Sequence, residues 1–203
     1  MIVRAVVDSD LPIMALMLVE AAYPPWTDPK PTVADTLADP RAGLYLQAWG
    51  RPGDRGVIAV DDGGQPLGAA WYRHFNADAP GYGFVSEDVP ELAIGVVLEA
   101  RGRGVGRAVL GGLIAAAREG GEFALSLDVS ALNPIAVRLY RSFGFVRVGG
   151  TDENPVMALR LDEPASGPTT THVWDSERDT VISPDLNEQR DAERDEKSPQ
   201  VRR

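Results

Sequence analysis

An apolar run, Glu91-Leu-Ala-Ile-Gly-Val-Val-Leu98, passes through Arg101-Gly-Arg-Gly104-Val-Gly106-Arg107 straight into a helical pattern. Such a junction builds an anion site. The first N–H groups of a helix lack internal partners and carry the positive end of its dipole. Gly102, Gly104 and Gly106 remove side chains that would keep a phosphate away, while Arg101, Arg103 and Arg107 add charge. Two familiar phosphate loops are excluded. A Walker A loop ends in Gly-Lys-Ser/Thr, which is absent; a dinucleotide fingerprint counted from Gly102 or Gly104 meets Arg107 or Val109 where its third glycine belongs. A second chemistry-bearing stretch, Asn133-Pro-Ile-Ala136-Val-Arg-Leu139-Tyr140-Arg-Ser-Phe143-Gly144-Phe145, follows.

Arg101, Gly104 and Gly106 meet the pattern Arg/Gln-x-x-Gly-x-Gly/Ala, which resembles the pyrophosphate loop of the GNAT N-acetyltransferase superfamily. Asn133, Ala136, Leu139, Tyr140, Gly144 and Phe145 fall where that superfamily carries its second motif, so the resemblance covers about residues 91–149. It implies an α/β fold: a central mixed, mostly antiparallel sheet of six to seven strands, flanked by about four helices and splayed between the fourth and fifth strands. It implies acetyl-CoA as co-substrate without a metal, and direct transfer of acetyl to an amine in a ternary complex. The backbone of Val96, Val97 and Leu98 would pair with the pantetheine arm, and the segment Arg101, Gly102, Arg103, Gly104, Val105, Gly106 and Arg107 would hold the pyrophosphate. Asn133 matches a position that contacts the cofactor. Tyr140 matches the tyrosine that protonates the leaving thiolate.

Glu91 is the candidate general base, at a position where some relatives carry a glutamate and beside an apolar run able to raise its pKa. Glu87 and Asp88 are the fallbacks. Relatives build the acceptor pocket from segments matching residues 23–28 and 75–88. Tyr23, Trp26, Trp71, Tyr72, Tyr82 and Phe84 would make it aromatic, which suits a cationic amine. Each assignment has a plainer counterpart. Asn133 before Pro134 is a helix cap in its own right, Tyr140 lies on the same helical face as Ala136 and Phe143, and Glu91 is also readable as a solvated strand-end charge. At the level of function, the alternatives are a non-catalytic acyl-CoA-binding sensor or interaction module, and transfer of a larger acyl group or to a hydroxyl.

The elements that must position these residues alternate between strand and helix periods. Residues 2–7 predict a strand, and Asp8-Ser9-Asp10 caps a helix carrying Ile13, Met14, Met17, Leu18 and Ala21 on one face. Residues 31–38 predict a short helix. Extended runs follow over 44–49 with 57–60, 67–75 and 91–98, with Asp61-Asp-Gly-Gly64 as a hairpin turn. A helix runs from Gly104 to Gly120-Gly121, a strand over 123–129, a helix from Asn133, and strands over 145–148 and 156–161.

Composition narrows the field. At 203 residues with 44% apolar content, the chain holds one substantial core, expected over residues 1–161. Residues 162–203 are polar, acidic and expected to be disordered, with Val173 and Trp174 as an interaction candidate. There is no cysteine, which removes disulfides, thiolate metal sites and a cysteine nucleophile. The two histidines, His74 and His172, lie too far apart in sequence to suggest a metal site. A formal charge of −10 disfavours nonspecific nucleic-acid binding and suits a cationic partner. Without an apolar run of spanning length or a leader pattern, the expectation is a cytoplasmic protein without membrane contact. Homodimerisation is compatible with it. Arginine in excess of lysine, with abundant alanine and glycine, points to a GC-rich bacterial genome.

Overall fold

The computed structural model describes residues 1–23, 27–161, 173–175 and 180–182. The chain divides into two units, Met1–Asp162 and Glu163–Arg203. In the second, β8 (Val173–Asp175) and β9 (Thr180–Ile182) pair as an antiparallel ribbon. The expectation of disorder there otherwise falls outside the described residues, as does Trp26.

The first unit opens with β1 (Ile2–Ala5) and a one-turn 3-10 segment, Asp8–Asp10. Asp10 accepts from the Val7 N–H at 2.9 Å and takes both Nη groups of Arg4 at 2.6 and 2.9 Å, which ties the helix start to the strand before it. Helix α1 (Leu11–Ala22) follows with Pro12 in its first turn, then α2 (Val33–Ala38), capped by Thr32 Oγ1 accepting from Asp35 N–H at 3.1 Å. Strands β2 (Arg55–Val60) and β3 (Pro66–Arg73) form the predicted hairpin. Its turn is held by Asp61 Oδ1, which accepts from the N–H groups of Gly63 and Gln65. After β4 (Glu91–Val96) come α3 (Val105–Glu119), β5 (Ala124–Asp128), α4 (Pro134–Ser142), β6 (Val146–Gly150) and β7 (Pro155–Arg160).

Seven strands form one sheet in the order β1-β2-β3-β4-β5-β7-β6, antiparallel throughout except at β4–β5. Strand alternation sends neighbouring residues to opposite faces. Tyr72, Leu92, Leu125 and Leu127 pack with Val109, Leu110 and Leu113 of α3, whereas Ile58, Trp71 and Ala93 pack with Met14 and Leu18 of α1. The Val, Leu, Ile and Met side chains among these are buried, worth about 1.5–3 kcal/mol of transfer free energy apiece.

One expected strand is absent. Residues 44–49 carry a 3-10 turn, Ala42–Tyr45, followed by a loop instead of an extended run. The cause lies in Arg73, wholly buried, whose Nη1 donates to the carbonyls of Leu44 at 2.6 Å and Gln47 at 2.9 Å while Asp54 takes Nε and Nη2. A guanidinium thus satisfies the acceptors that a neighbouring strand would otherwise need to pair. Among the described residues, no helix is long and apolar enough to cross a membrane.

Candidate active site

Strands β4 and β5 are parallel neighbours at a single pair, Glu91↔Ser126, supported by Ser126 N–H donating to Pro90 O at 3.0 Å. Beyond that pair they part. Val97 N–H donates to Leu67 O at 3.0 Å on the β3 side. By the alternation of an antiparallel ladder, the N–H and C=O groups of Leu92, Ile94 and Val96 therefore face the opening towards β5. This is the splay expected between the fourth and fifth strands. Val97 spends its N–H on the ladder, and Leu98 begins a 3-10 turn with its side chain exposed.

Glu91 sits at the apex of that opening and is 2% exposed. Its Oε1 accepts from the Tyr45 hydroxyl and from Gly83 N–H at 2.7 Å, and the same Tyr45 oxygen accepts from Tyr82 N–H at 2.9 Å. Its Oε2 is buried without a partner, as is Ser126 Oγ on the facing strand. Gly81 lies so close that a Cβ there would fall on Glu91 Oε2, so only glycine leaves the carboxylate its place. Burial raises the Glu91 carboxyl to about 7, against the opposing pull of the Tyr45 and Gly83 hydrogen bonds.

Glu91 lines a cavity of about 570 Å³ together with Tyr140, Asp128, Tyr45, Tyr82 and Arg41. Tyr140 is buried with its ring 5.7 Å from that of Phe145; burial, and then the charge of Asp128, raise its pKa so that the hydroxyl stays protonated. Asp128 is itself raised to about 6 by burial, with Arg41 opposing. The two candidate catalytic residues of the sequence thus meet in one space.

At the far end of β4 the glycine loop turns into α3. Gly104 stands at the helix N-cap with φ 83°, Gly102 has φ 73°, and nothing lies within 4 Å of where either Cβ would be. Val105 is buried as an anchor, and Gly106 is half-buried under Leu139. Backbone donors at this helix start are therefore uncovered, as an anion needs. The three arginines differ. Arg101 is engaged within the protein: Nη2 donates to Glu20 at 2.5 Å and Nε to Val96 O at 3.1 Å, while Lys30 holds the same Glu20 oxygen at 2.6 Å. Arg103 is exposed, and Arg107 is exposed against Ser142 at 3.0 Å and the Phe143 ring. Asn133 caps α4 by accepting from Ala136 N–H at 3.1 Å.

The aromatic pocket expected from sequence is only partly assembled. Tyr82 lines the cavity, but Trp71 and Tyr72 are core residues on opposite faces of β3, 0% and 1% exposed, because strand alternation directs both into packed layers. Glu87 lines a separate cavity of about 300 Å³ with His74, just past the end of β3, and Asp88 is exposed. Tyr45, Arg41 and Asp128 were not legible as site residues. Asp128 had a signal, since it stands two residues after Ser126, on the face that Glu91 shares. Among the described residues no cluster of three or more His, Asp or Glu is placed to hold a metal.

A family model described as the acetyltransferase (GNAT) family matches residues 15–145. A mycothiol acetyltransferase from Cellulomonas flavigena is 36% identical over 114 residues, 55% of this chain and 32% of that protein, so the chain spans about a third of that relative's length. A ribosomal-protein-alanine N-acetyltransferase from Brucella melitensis superposes with a TM-score of 0.58 at 26% identity, over 79% of this chain and 99% of the other. A putative acetyltransferase from Salmonella typhimurium, solved with its cofactor acetyl-CoA, gives a TM-score of 0.59 at 22% identity over 83% and 98%, a likeness of fold.

Proposed function

The chain belongs to the acetyltransferase (GNAT) family, and on that footing we propose that it transfers the acetyl group of acetyl-CoA to an amine, small-molecule or peptide, by direct attack in a ternary complex. The observation that carries this reading is the meeting of Glu91 and Tyr140 in one cavity, at the apex of a strand opening that leads towards a bare helix N-terminus. Acetyl-CoA, when bound, supplies the thioester carrying the acetyl group. The residues present suit it. The Leu92 carbonyl, both backbone groups of Ile94 and the Val96 N–H, which neither the Glu91–Ser126 pair nor Arg101 occupies, would pair with its amide arm, and the N–H groups following Gly104 would take its pyrophosphate.

The acceptor arrives as an ammonium and must lose a proton before it attacks. Glu91 Oε2, the oxygen without a protein partner, receives that proton. Its raised pKa matches it to the task near neutral pH, where about half of it is ionised and the carboxylate is basic enough to hold what it takes. As the nitrogen–carbon bond forms and the carbon–sulfur bond breaks, the protonated Tyr140 hydroxyl gives its proton to the departing sulfur, and the second proton shed by the acylated nitrogen restores the tyrosine. Holding both reactants in one cleft supplies much of the rate. A non-catalytic module has no use for a carboxylate kept in so unfavourable a setting, which weighs against that alternative.

Calorimetric titration of acetyl-CoA, followed by thiol release with a panel of amines, tests the reading. Binding with release is expected. Binding without release from any amine favours a sensor, and absence of binding removes the cofactor assignment.

A further inference from the structure

Four arginines of this fold have carboxylate partners: Arg4 with Asp10, Arg73 with Asp54, Arg101 with Glu20 and Arg147 with Asp152. Arg41 is different, although it lines a cavity that also contains the carboxyl groups of Glu91 and Asp128. Its Nη2 donates to Gly81 O at 2.9 Å and its guanidinium carbon sits 4.4 Å from the centre of the Tyr82 ring. Both contacts are with uncharged groups. A guanidinium offers five N–H donors in one plane, so these two contacts fix its orientation while leaving most of its donors unused. Arg41 itself is exposed and Glu91 is deeply buried, so the positive group stands at the rim and the negative ones lie further in. The cavity therefore has two poles. An amine that needs only deprotonation would be served by the inner pole alone; the Arg41 charge opposes protonation of Glu91 and Asp128, but its fork of unused donors at the mouth has no part in that chemistry.

We infer that the acceptor carries a carboxylate as well as its amine, with the Arg41 fork receiving the carboxylate at the rim while the amine nitrogen points inward to Glu91. The inference rests on the acetyl-transfer reading and narrows it, from amines in general to amino acids and related amino carboxylates. It disfavours polyamines, whose second positive charge would meet Arg41. Planar bidentate pairing is what distinguishes arginine from lysine at such a place.

The test compares twin acceptors that differ only in the carboxylate: L-phenylalanine with phenethylamine, L-methionine with its decarboxylated amine, and β-alanine with ethylamine. Thiol release is followed with the full chain and acetyl-CoA. For at least one pair, kcat/KM for the amino acid is expected to exceed that of its twin by at least about tenfold, the discrimination one charged hydrogen-bonding pair supports. In Arg41→Gln that ratio is expected to fall towards one, mainly through KM for the amino acid, with Arg41→Lys in between. Because the ratio is internal to each variant, general damage to folding lowers both twins and leaves it unchanged. A ratio near or below one in the native chain, or one that Arg41→Gln does not alter, overturns the inference while leaving acetyl transfer standing. Failure of every twin to react, with acetyl-CoA still binding, overturns the inference, and acetyl transfer falls with it only if the wider amine panel also gives no release.

Discussion

Glu91 carries a carboxyl that titrates at about 7 in the fold and at 4.5 ordinarily, and both activity and stability inherit that difference. In the proposed role of proton acceptor it works only when ionised, so kcat/KM is expected to fall as pH drops below about 7. Glu91→Gln should lower activity roughly a hundred- to ten-thousand-fold and flatten that limb; a variant as active as the native chain, with the limb intact, would assign the proton elsewhere. For stability the sign is reversed. Between about 4.5 and 7 the folded chain binds the proton that the unfolded chain has lost, so this residue makes stability decline as pH rises through that window. Glu91→Gln is expected to gain on the native chain by on the order of 3 kcal/mol at pH 8 relative to pH 4, read by urea denaturation. Tyr45→Phe removes a hydroxyl that donates to the carboxylate, so the activity limb should move to higher pH; an unmoved limb would show that this bond does not tune Glu91. Glu91 was legible in the sequence because a charge opening an apolar strand is conspicuous. Arg41 and Tyr45 were not, since each reaches the cavity from a loop or short turn whose course depends on the buried Arg73.

Helix α3 shows what a whole element contributes. Gly104 holds a left-handed conformation at its N-cap in open space, so Gly104→Ala should cost about 1 kcal/mol of folding stability from backbone strain while placing a methyl group where the proposed site would receive the phosphates. Gly121→Ala, with φ 81° and equally open surroundings beyond the other end of the helix, supplies the same strain away from the loop. Calorimetry should find acetyl-CoA affinity reduced by tenfold or more in the first and retained in the second; equal affinities would detach the loop from the cofactor. The helices and most strands could be read from their periods because each buries one face against a packed layer, as α4 does after its Asn133 cap. Residues 44–49 escaped that logic. Their buried positions Tyr45 and Leu46 look like strand material, yet their carbonyls are claimed by a side chain distant in sequence. Local pattern carries no record of such a partner.

At the scale of the molecule, the sequence marked a change in character near residue 161, and the chain divides into units at Asp162. A chain ending at residue 162 is expected to keep its melting temperature within about 2–4 °C, the effect of 1 kcal/mol in a domain of this size, and to keep its acetyl-CoA affinity; a larger loss in scanning calorimetry would make residues 163–203 part of the working fold. The sheet itself consists of two half-sheets, β1–β4 and β5–β7, that share a single ladder pair at Glu91 and Ser126. A ligand lodged in that opening supplies hydrogen bonds that the protein omits between its own strands. Anything that binds only the folded chain stabilises it by mass action, about 2.7 kcal/mol at a hundredfold excess over Kd, which shrinks the unfolded fraction by the same factor. Because proteases degrade the unfolded fraction, binding of the proposed co-substrate would tie the lifetime of this protein in a cell to acetyl-CoA supply: starved of it the chain would be cleared faster, and well supplied it would accumulate.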